Sequence, residues 1–329
     1  MSEAIIGVDL GGTRVRAARL DHNLDILERH ETLTNDERGL EATLTTIKEL
    51  IRDVLPKNGM PVAGIGISAP GPLNPVTGVV VAPPNLKGWH NVPLGDILRQ
   101  EFGVPVYVGN DANVAGLAET VRGAARGYRH VIFITISTGI GSGMICDGKL
   151  LLGKVGLAAE AGHIIMVAGD RVSTLEKEAA GPAIARKARA RVEAGEKSVI
   201  YDLVNGDLDR IDGVVVGNAA RQHDALALDV IREAGRMVGL GMVSLLHLFN
   251  PEILVFGGGV SNNLWDIIYP PMWEAIQTHC IDSAYWSDLR IERAGLGENV
   301  SVIGAASLVV TQGGVVDVAE VVAHLNAPS

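Results

Sequence analysis

Cysteine, aromatic residues and positive charge are all scarce in this sequence of 329 residues, and each scarcity closes off a class of function. Two cysteines, Cys146 and Cys280, cannot build a disulfide framework, and they lie too far apart in sequence for a thiolate metal cluster. They suit a reducing compartment, so a cytoplasmic protein is expected. Lys and Arg number 28 against 38 Asp and Glu, giving a net charge of −10. Without a long basic run, neither nucleic acid nor an anionic membrane is an expected partner. The one basic stretch, Arg186 to Arg191, alternates with alanine and reads as a solvated helix face. Long hydrophobic runs are missing too. The most apolar window, Val238 to Val260, is interrupted by His247, Asn250, Pro251 and Glu252 and reads as helix, turn and buried strand. Met1 to Leu10 carries Glu3 and Asp9 without a basic flank, unlike a signal peptide. No G-x-x-x-x-G-K-[ST] occurs, which excludes a P-loop. Gly64 to Ala69 fits G-x-G-x-x-[GA] but runs into Pro70-Gly71-Pro72 instead of a helix, so the dinucleotide reading fails on context.

What is present is globular. Apolar residues make up 47% and glycines number 40, and the length suits about two domains. Short apolar strands alternate with helical spacing, which predicts an α/β protein with buried sheets. Ala4 to Val8 is a strand, followed by the turn Asp9-Leu10-Gly11-Gly12-Thr13 and a returning strand, Val15 to Leu20. Glu41 to Leu55 has helical spacing. Gly64 to Ser68 and Val104 to Val108 are strands, the second delivering Gly109-Asn110-Asp111 into a helix from Ala112 to Val121. Val131 to Ser137 then leads into Thr138 to Gly143, and Met144 to Cys146 returns. This repeats the first strand–turn–strand unit and predicts a duplicated architecture. Arg221 to Phe249 reads as largely helical, Ile253 to Phe256 as a strand opening on Gly257-Gly258-Gly259, and Asn299 to Val310 as a final helix.

Glycines at strand ends let backbone N–H groups approach a phosphate without a Cβ in the way. The Asp9–Thr13 turn fits that use, with Thr13 adding a hydroxyl and Asp9 able to hold a metal-bound water. It equally fits an ordinary hairpin turn. Ser137 to Gly143 forms a second such concavity, and Gly257 to Gly259 a third, suited to a flat base or ribose. Asn110-Asp111 fits a helix N-cap. It also places a carboxylate where phosphoryl transfer to an alcohol needs a base. Glu160, His163 and Glu176 supply donors and acceptors suited to sugar hydroxyls. Against this, Ser173 to Glu176 reads as an S-x-x-E capping box, and a single histidine is commonly structural.

Six stretches occur in one order: IIGVDLGGTRVRAARLD, GIGISAPGPLNPVTGVVVAPPNLKGWHNVPL, VYVGNDANVAGLAE, FITISTGIGSGMICDGKLLLG, EAGH and NPEILVFGGGV. The set resembles the ROK family of bacterial sugar kinases and sugar-responsive repressors, and within it the glucokinases. The resemblance implies an actin-like ATPase (ribonuclease H-like) fold, with two domains around a central nucleotide and sugar cleft. Residues 1–118 plus 303–329 would form a small α/β domain with the first phosphate turn and the catalytic aspartate. Residues 119–302 would form a large α/β domain with the second phosphate turn and the adenosine site. It implies ATP, Mg²⁺ and transfer to the 6-hydroxyl of a hexose, glucose first, with Asp111 as general base. Gly71, Asn85, Asn110, Asp111, Glu160, His163 and Glu176 would bind the sugar. Asp9, Gly11, Gly12, Thr13, Thr138, Gly139, Gly257 and Gly258 would serve ATP and Mg²⁺. A homodimer is also implied.

One departure from the family pattern matters. The family places a C-x-C-G-x-x-G-C zinc cluster after the glutamate-glycine-histidine stretch, whereas residues 164–175 here, IIMVAGDRVSTL, contain no cysteine. No zinc site is therefore expected, and His163 is expected to be oriented by a backbone carbonyl or a carboxylate on its second ring nitrogen. An N-acetylmannosamine, N-acetylglucosamine or fructose kinase remains an alternative, as does a non-catalytic sugar-responsive regulator. The repressors carry a DNA-binding domain ahead of the first phosphate turn; with that turn beginning at Asp9 and a net charge of −10, a repressor is not expected.

Overall fold

The computed structural model describes residues 3–325. Along the chain, β1 (Ala4–Leu10), β2 (Arg14–Leu20) and β3 (Ile26–Leu33) precede α1 (Leu40–Val54). Leu44, Ile47, Leu50, Ile51 and Val54 form the buried stripe of α1, as their spacing predicts. Each such side chain contributes about 1.5–3 kcal/mol by leaving water. Next come β4 (Val62–Ala69), the short pair β5 (Leu73–Asn74) and β6 (Val79–Val80), α2 (Leu94–Phe102), β7 (Val106–Asn110) and α3 (Asp111–Val121). Then follow β8 (Val131–Ile136), β9 (Ile140–Cys146), β10 (Lys149–Leu150), the hairpin β11 (Ile165–Ala168) and β12 (Arg171–Thr174), α4 (Leu175–Ala179), α5 (Gly181–Glu193) and α6 (Val199–Leu203). The chain continues through α7 (Gly213–Arg221), α8 (Ala225–Phe249), β13 (Ile253–Gly257), α9 (Gly259–His279), β14 (Arg290–Arg293), α10 (Val300–Val310) and α11 (Val318–Leu325).

Two five-stranded sheets repeat one plan. Their orders are β3-β2-β1-β4-β7 and β10-β9-β8-β13-β14. In the first, β1–β2–β3 is an antiparallel meander and β4 and β7 add in parallel. In the second, β10 pairs antiparallel with β9 and β14 parallel with β13. The duplication expected from the two glycine turns is present at the level of topology.

The chain divides into two compact units. The first comprises, among the described residues, 3–133, 143–159 and 294–325; the second comprises 134–142 and 160–293. The first thus takes in more than residues 1–118 and 303–329. Buried Glu119, at the end of α3, accepts hydrogen bonds from the backbone N–H groups of Ala124, Gly295 and Leu296 and ties those segments to it.

In the first unit α10 lies directly on the sheet. A Cβ added at Gly66 would stand 1.7 Å from the carbonyl oxygen of Ala305, and one at Gly7 would stand 2.2 Å from that of Val302. Only a missing side chain permits this approach. Gly66→Ala is expected to cost about 3 kcal/mol, the upper end for overpacking. The urea midpoint reads this loss, and an unchanged midpoint would show that α10 shifts freely.

Arg221 to Phe249 is largely helical, as expected, with a break before α8 where Asp224 caps it by accepting from Ala227 N and also takes the N–H of Val199. One expectation changes. Asn299–Val310 is not the last helix, because α11 follows a turn in which Gly313 and Gly314 both have positive φ.

Candidate active site

In the first unit, three parallel strands end side by side. Register places Asp9 of β1 beside Ser68 of β4, and Ala69 beside Asn110 of β7. Carboxyl ends of parallel strands are where open α/β sheets bind ligands. The turn after β1 is closed by Gly11 N–H to the Arg14 carbonyl at 2.9 Å. The Thr34 hydroxyl donates to the Gly11 carbonyl at 2.6 Å, and Thr34 N–H donates to that of Thr13. Thr13 is exposed. Gly12 packs on Asn85, where an added Cβ would stand 2.9 Å from the Asn85 Cβ. Asp9 Oδ2 accepts from Arg16 Nη1 at 3.0 Å, and Glu31 holds Arg16 from its other side. Burial raises the Asp9 pKa against the pull of Arg16, and the nearby charge of Asp111 adds to the rise.

Asn110 and Asp111 divide the two duties left open by the sequence. Asn110 is the N-cap of α3, its Oδ1 accepting from Ala112 N at 3.1 Å. Asp111 is the first residue of the helix, and its Oδ1 shares the same N–H at 2.8 Å. Its Oδ2 has no partner among the described residues. The carboxylate is open to solvent but surrounded at longer range by protein. That desolvation raises its pKa, partly offset by the backbone N–H groups of Ala112 and Asp111 itself. Gly71 closes on the neighbouring Asn110 side chain, since a Cβ there would stand 2.8 Å from Asn110 Nδ2. The first unit therefore gathers Asp9, Gly71, Asn110 and Asp111, with Gly12 against Asn85.

In the second unit, Glu176 and the backbone of the Glu160–His163 stretch both lie against β9, whose first residue is Ile140. Its N–H donates to Glu176 Oε2 at 2.9 Å. Its carbonyl faces Gly162, where a Cβ would stand only 2.1 Å away. Ala161 N–H donates to the Ser142 hydroxyl, seating the Glu160–His163 stretch beside the same strand. Gly139 touches Glu176, with 2.6 Å between an added Cβ and Oε2. Glu160 and His163 are exposed.

Two local readings need correction. The helix cap is Thr174, accepting from Lys177 N, and not Ser173; Ser173 Oγ donates to Glu178 Oε1 instead. Glu176 is thereby free of a capping box and reaches the glycine turn. The His163 ring makes no hydrogen bond among the described residues, so the expected orienting carbonyl or carboxylate is not there. No group of three or more His, Cys, Asp or Glu side chains among the described residues converges as a metal site.

A cavity of about 710 Å³ opens beside the second glycine turn, lined by Ser137 and Thr138 together with parts of α5, α7 and α9. Gly257 and Gly258 do not line it. Gly257 is buried, and Gly258 packs on β8, a Cβ there falling 2.4 Å from the Ile136 carbonyl. Gly259 and Val260 form that wall. The sequence reading missed Arg186, Arg189, Asp212 and Arg221, which also line the cavity. The only signal for the first two was the basic stretch. Arg189 is ion-paired with Glu193 and Asp209.

No helix among the described residues is long and apolar enough to cross a membrane. The sequence is 33% identical over 311 residues to a glucokinase of Thermotoga maritima, covering 93% of this chain and 96% of that protein. Among solved structures, a ROK family glucokinase from Streptomyces griseus in complex with glucose and AMPPNP superimposes with a TM-score of 0.73 at 33% identity, covering 93% of this chain and 98% of that one. A ROK hexokinase from Thermus thermophilus gives a TM-score of 0.78 at 31% identity, covering 93% and 97%. The fold is the actin-like ATPase fold of these kinases. The ROK family match runs over residues 5–312, from β1 through α10, and the chain is a member of that family.

Proposed function

We propose that this chain transfers the γ-phosphate of ATP to the 6-hydroxyl of glucose. The observation that carries this reading is the division of labour at the β7–α3 junction. Asn110 caps the helix, which leaves Asp111 a carboxylate oxygen without a partner at the end of a parallel strand. Desolvation raises its pKa, which makes that oxygen a better proton acceptor than an ordinary aspartate.

The step balances simply. Asp111 takes the proton of the 6-hydroxyl as its oxygen attacks the γ-phosphorus, and the bond to the bridging oxygen breaks to release ADP. Glu160, His163 and Glu176 hold the sugar hydroxyls, with Asn85, Asn110 and the Gly71 backbone. The Gly11–Thr13 turn, through the N–H groups of Gly12 and Thr13 and the Thr13 hydroxyl, and the Thr138–Gly139 turn face the phosphates. Gly257 and Gly258 shape the strand end behind the cavity, and that cavity has room for a nucleoside. Asp9, held by Arg16, suits a water of a bound Mg²⁺, an ion that would neutralise charge on the phosphates. Zinc has no part in this reading. A cytoplasmic homodimer is the expected form.

The test is ADP release with ATP and a panel of hexoses. Glucose is expected to give the highest kcat/KM. A higher value for N-acetylmannosamine, N-acetylglucosamine or fructose would reassign the substrate, and no release with any hexose would remove the kinase reading.

A further inference from the structure

Two residues beyond Glu176 stands a carboxylate that the proposed chemistry does not use. Glu178 is fully buried. An isolated buried carboxylate is strongly destabilising, so its partners matter. They come from two elements. Ser173 Oγ and Arg171 Nη2, both on β12, donate to Oε1 at 2.6 Å and 2.9 Å. From α5, Lys187 Nζ stands 3.0 Å from Oε2. Lys187 also donates to the Glu178 carbonyl at 3.1 Å and to Glu233 Oε1 on α8 at 2.8 Å. Burial pushes the Glu178 carboxyl up, but the Ser173 hydroxyl and the Lys187 and Arg171 cations outweigh it and hold the group ionised.

α4 is five residues long, too short to stand alone, and is seated by buried Leu175 and Ala179. The hairpin that precedes it has little to hold it. In the β11–β12 hairpin, Ile165, Val167 and Val172 share the outer face and are 65%, 72% and 74% exposed. Only Met166 and Ser173, paired across the hairpin, are buried on its inner face. Apolar burial is therefore too small to fix the hairpin. Glu176 lies between the Thr174 cap and Glu178 on the single turn of α4, and His163 immediately precedes the segment that enters β11.

We propose that Glu178 is a positioning residue for sugar binding: its cluster with Ser173, Arg171 and Lys187 locks the hairpin and α4 together and so fixes Glu176 and His163. In the cysteine-free segment 164–175, ion pairs provide the cross-link. This rests on the reading that Glu176 binds the sugar, so the test includes Glu176 itself.

Steady-state kinetics of Glu178→Gln, Arg171→Met and Glu176→Ala, with glucose and ATP varied separately, read the effect. Glu178→Gln is expected to raise KM for glucose about tenfold, as loosened positioning does, with KM for ATP within about twofold. Arg171→Met is expected to raise KM for glucose about threefold, because it removes one of two donors to Oε1. The Arg171 side chain is 56% exposed, so this variant keeps the test alive if Glu178→Gln does not fold. Parallel rises in both KM values overturn the positioning role. So does an unchanged KM for glucose in the Glu178 and Arg171 variants while Glu176→Ala raises it, and the sugar reading then stands. An unchanged KM for glucose in Glu176→Ala removes the sugar reading, and the positioning role with it.

Discussion

Asp111→Asn is expected to lower turnover at least about 100-fold while leaving glucose binding measurable, the lower range for loss of a general base. The substitution keeps the shape and the shared hydrogen bond from Ala112 N but removes the proton acceptor. Two further readouts separate a base from a bystander. In the parent, kcat/KM is expected to fall as pH drops through the Asp111 pKa, which burial places above that of a free aspartate. In the variant that acid limb should vanish. Stability should move the other way. A carboxylate with a raised folded pKa binds protons more tightly in the fold than in the unfolded chain. It therefore carries no penalty below the unfolded value; the penalty grows between the two values and is full above the folded one. Asp111→Asn removes it, so the variant should melt no lower than the parent at pH 7. Turnover within a few-fold of the parent would assign the base elsewhere.

Gly139→Val is expected to lower kcat/KM for ATP by about 100-fold, as removing preorganised donors from a phosphoryl-transfer site does. Gly139 sits in a turn closed by Ser137 N–H to its own carbonyl at 2.9 Å. Its neighbour Ile140 donates to Glu176 at 2.9 Å, and a Cβ at Gly139 would collide with that carboxylate. A side chain here both screens the turn's N–H groups and displaces Glu176, so KM for glucose should rise as well. Thr138→Val is the control. It removes a hydroxyl and leaves the backbone intact, and a loss of only a few-fold is expected. Equal losses in the two variants would mean that the hydroxyl, not the backbone, meets the phosphates.

The sequence made the local features legible and left the long-range ones hidden. The stripe on α1, the two strand–glycine–strand turns and the strand-end position of Asp111 follow from spacing and turn chemistry, and all three occur. The division of labour between Asn110 and Asp111 was not readable, because both residue types cap helices well. Ser173 and Thr174 posed the same ambiguity. A buried carboxylate five residues on took the Ser173 hydroxyl, and Thr174 became the cap. Arg186 and Arg189 looked like a solvated face, because nothing local shows that α7 and α9 complete a cavity beside them. Gly257 and Gly258 looked like the cavity wall, but the strand continues one residue further than its apolar run and shifts the wall to Gly259.

The seating of α10 on Gly7 and Gly66 has a consequence for synthesis. β1, β4 and β7 emerge from the ribosome early, yet the helix that packs against Gly7 and Gly66 is encoded after the whole second unit. Roughly 180 residues separate α3 from α10, so at about 5–20 residues per second the nascent sheet waits on the order of 10–40 s without that cover. During that interval an apolar surface interrupted by glycines is open to chaperones or to neighbouring chains. A ribosome that stalls before residue 300 leaves the first unit without that helix, however completely the second has formed.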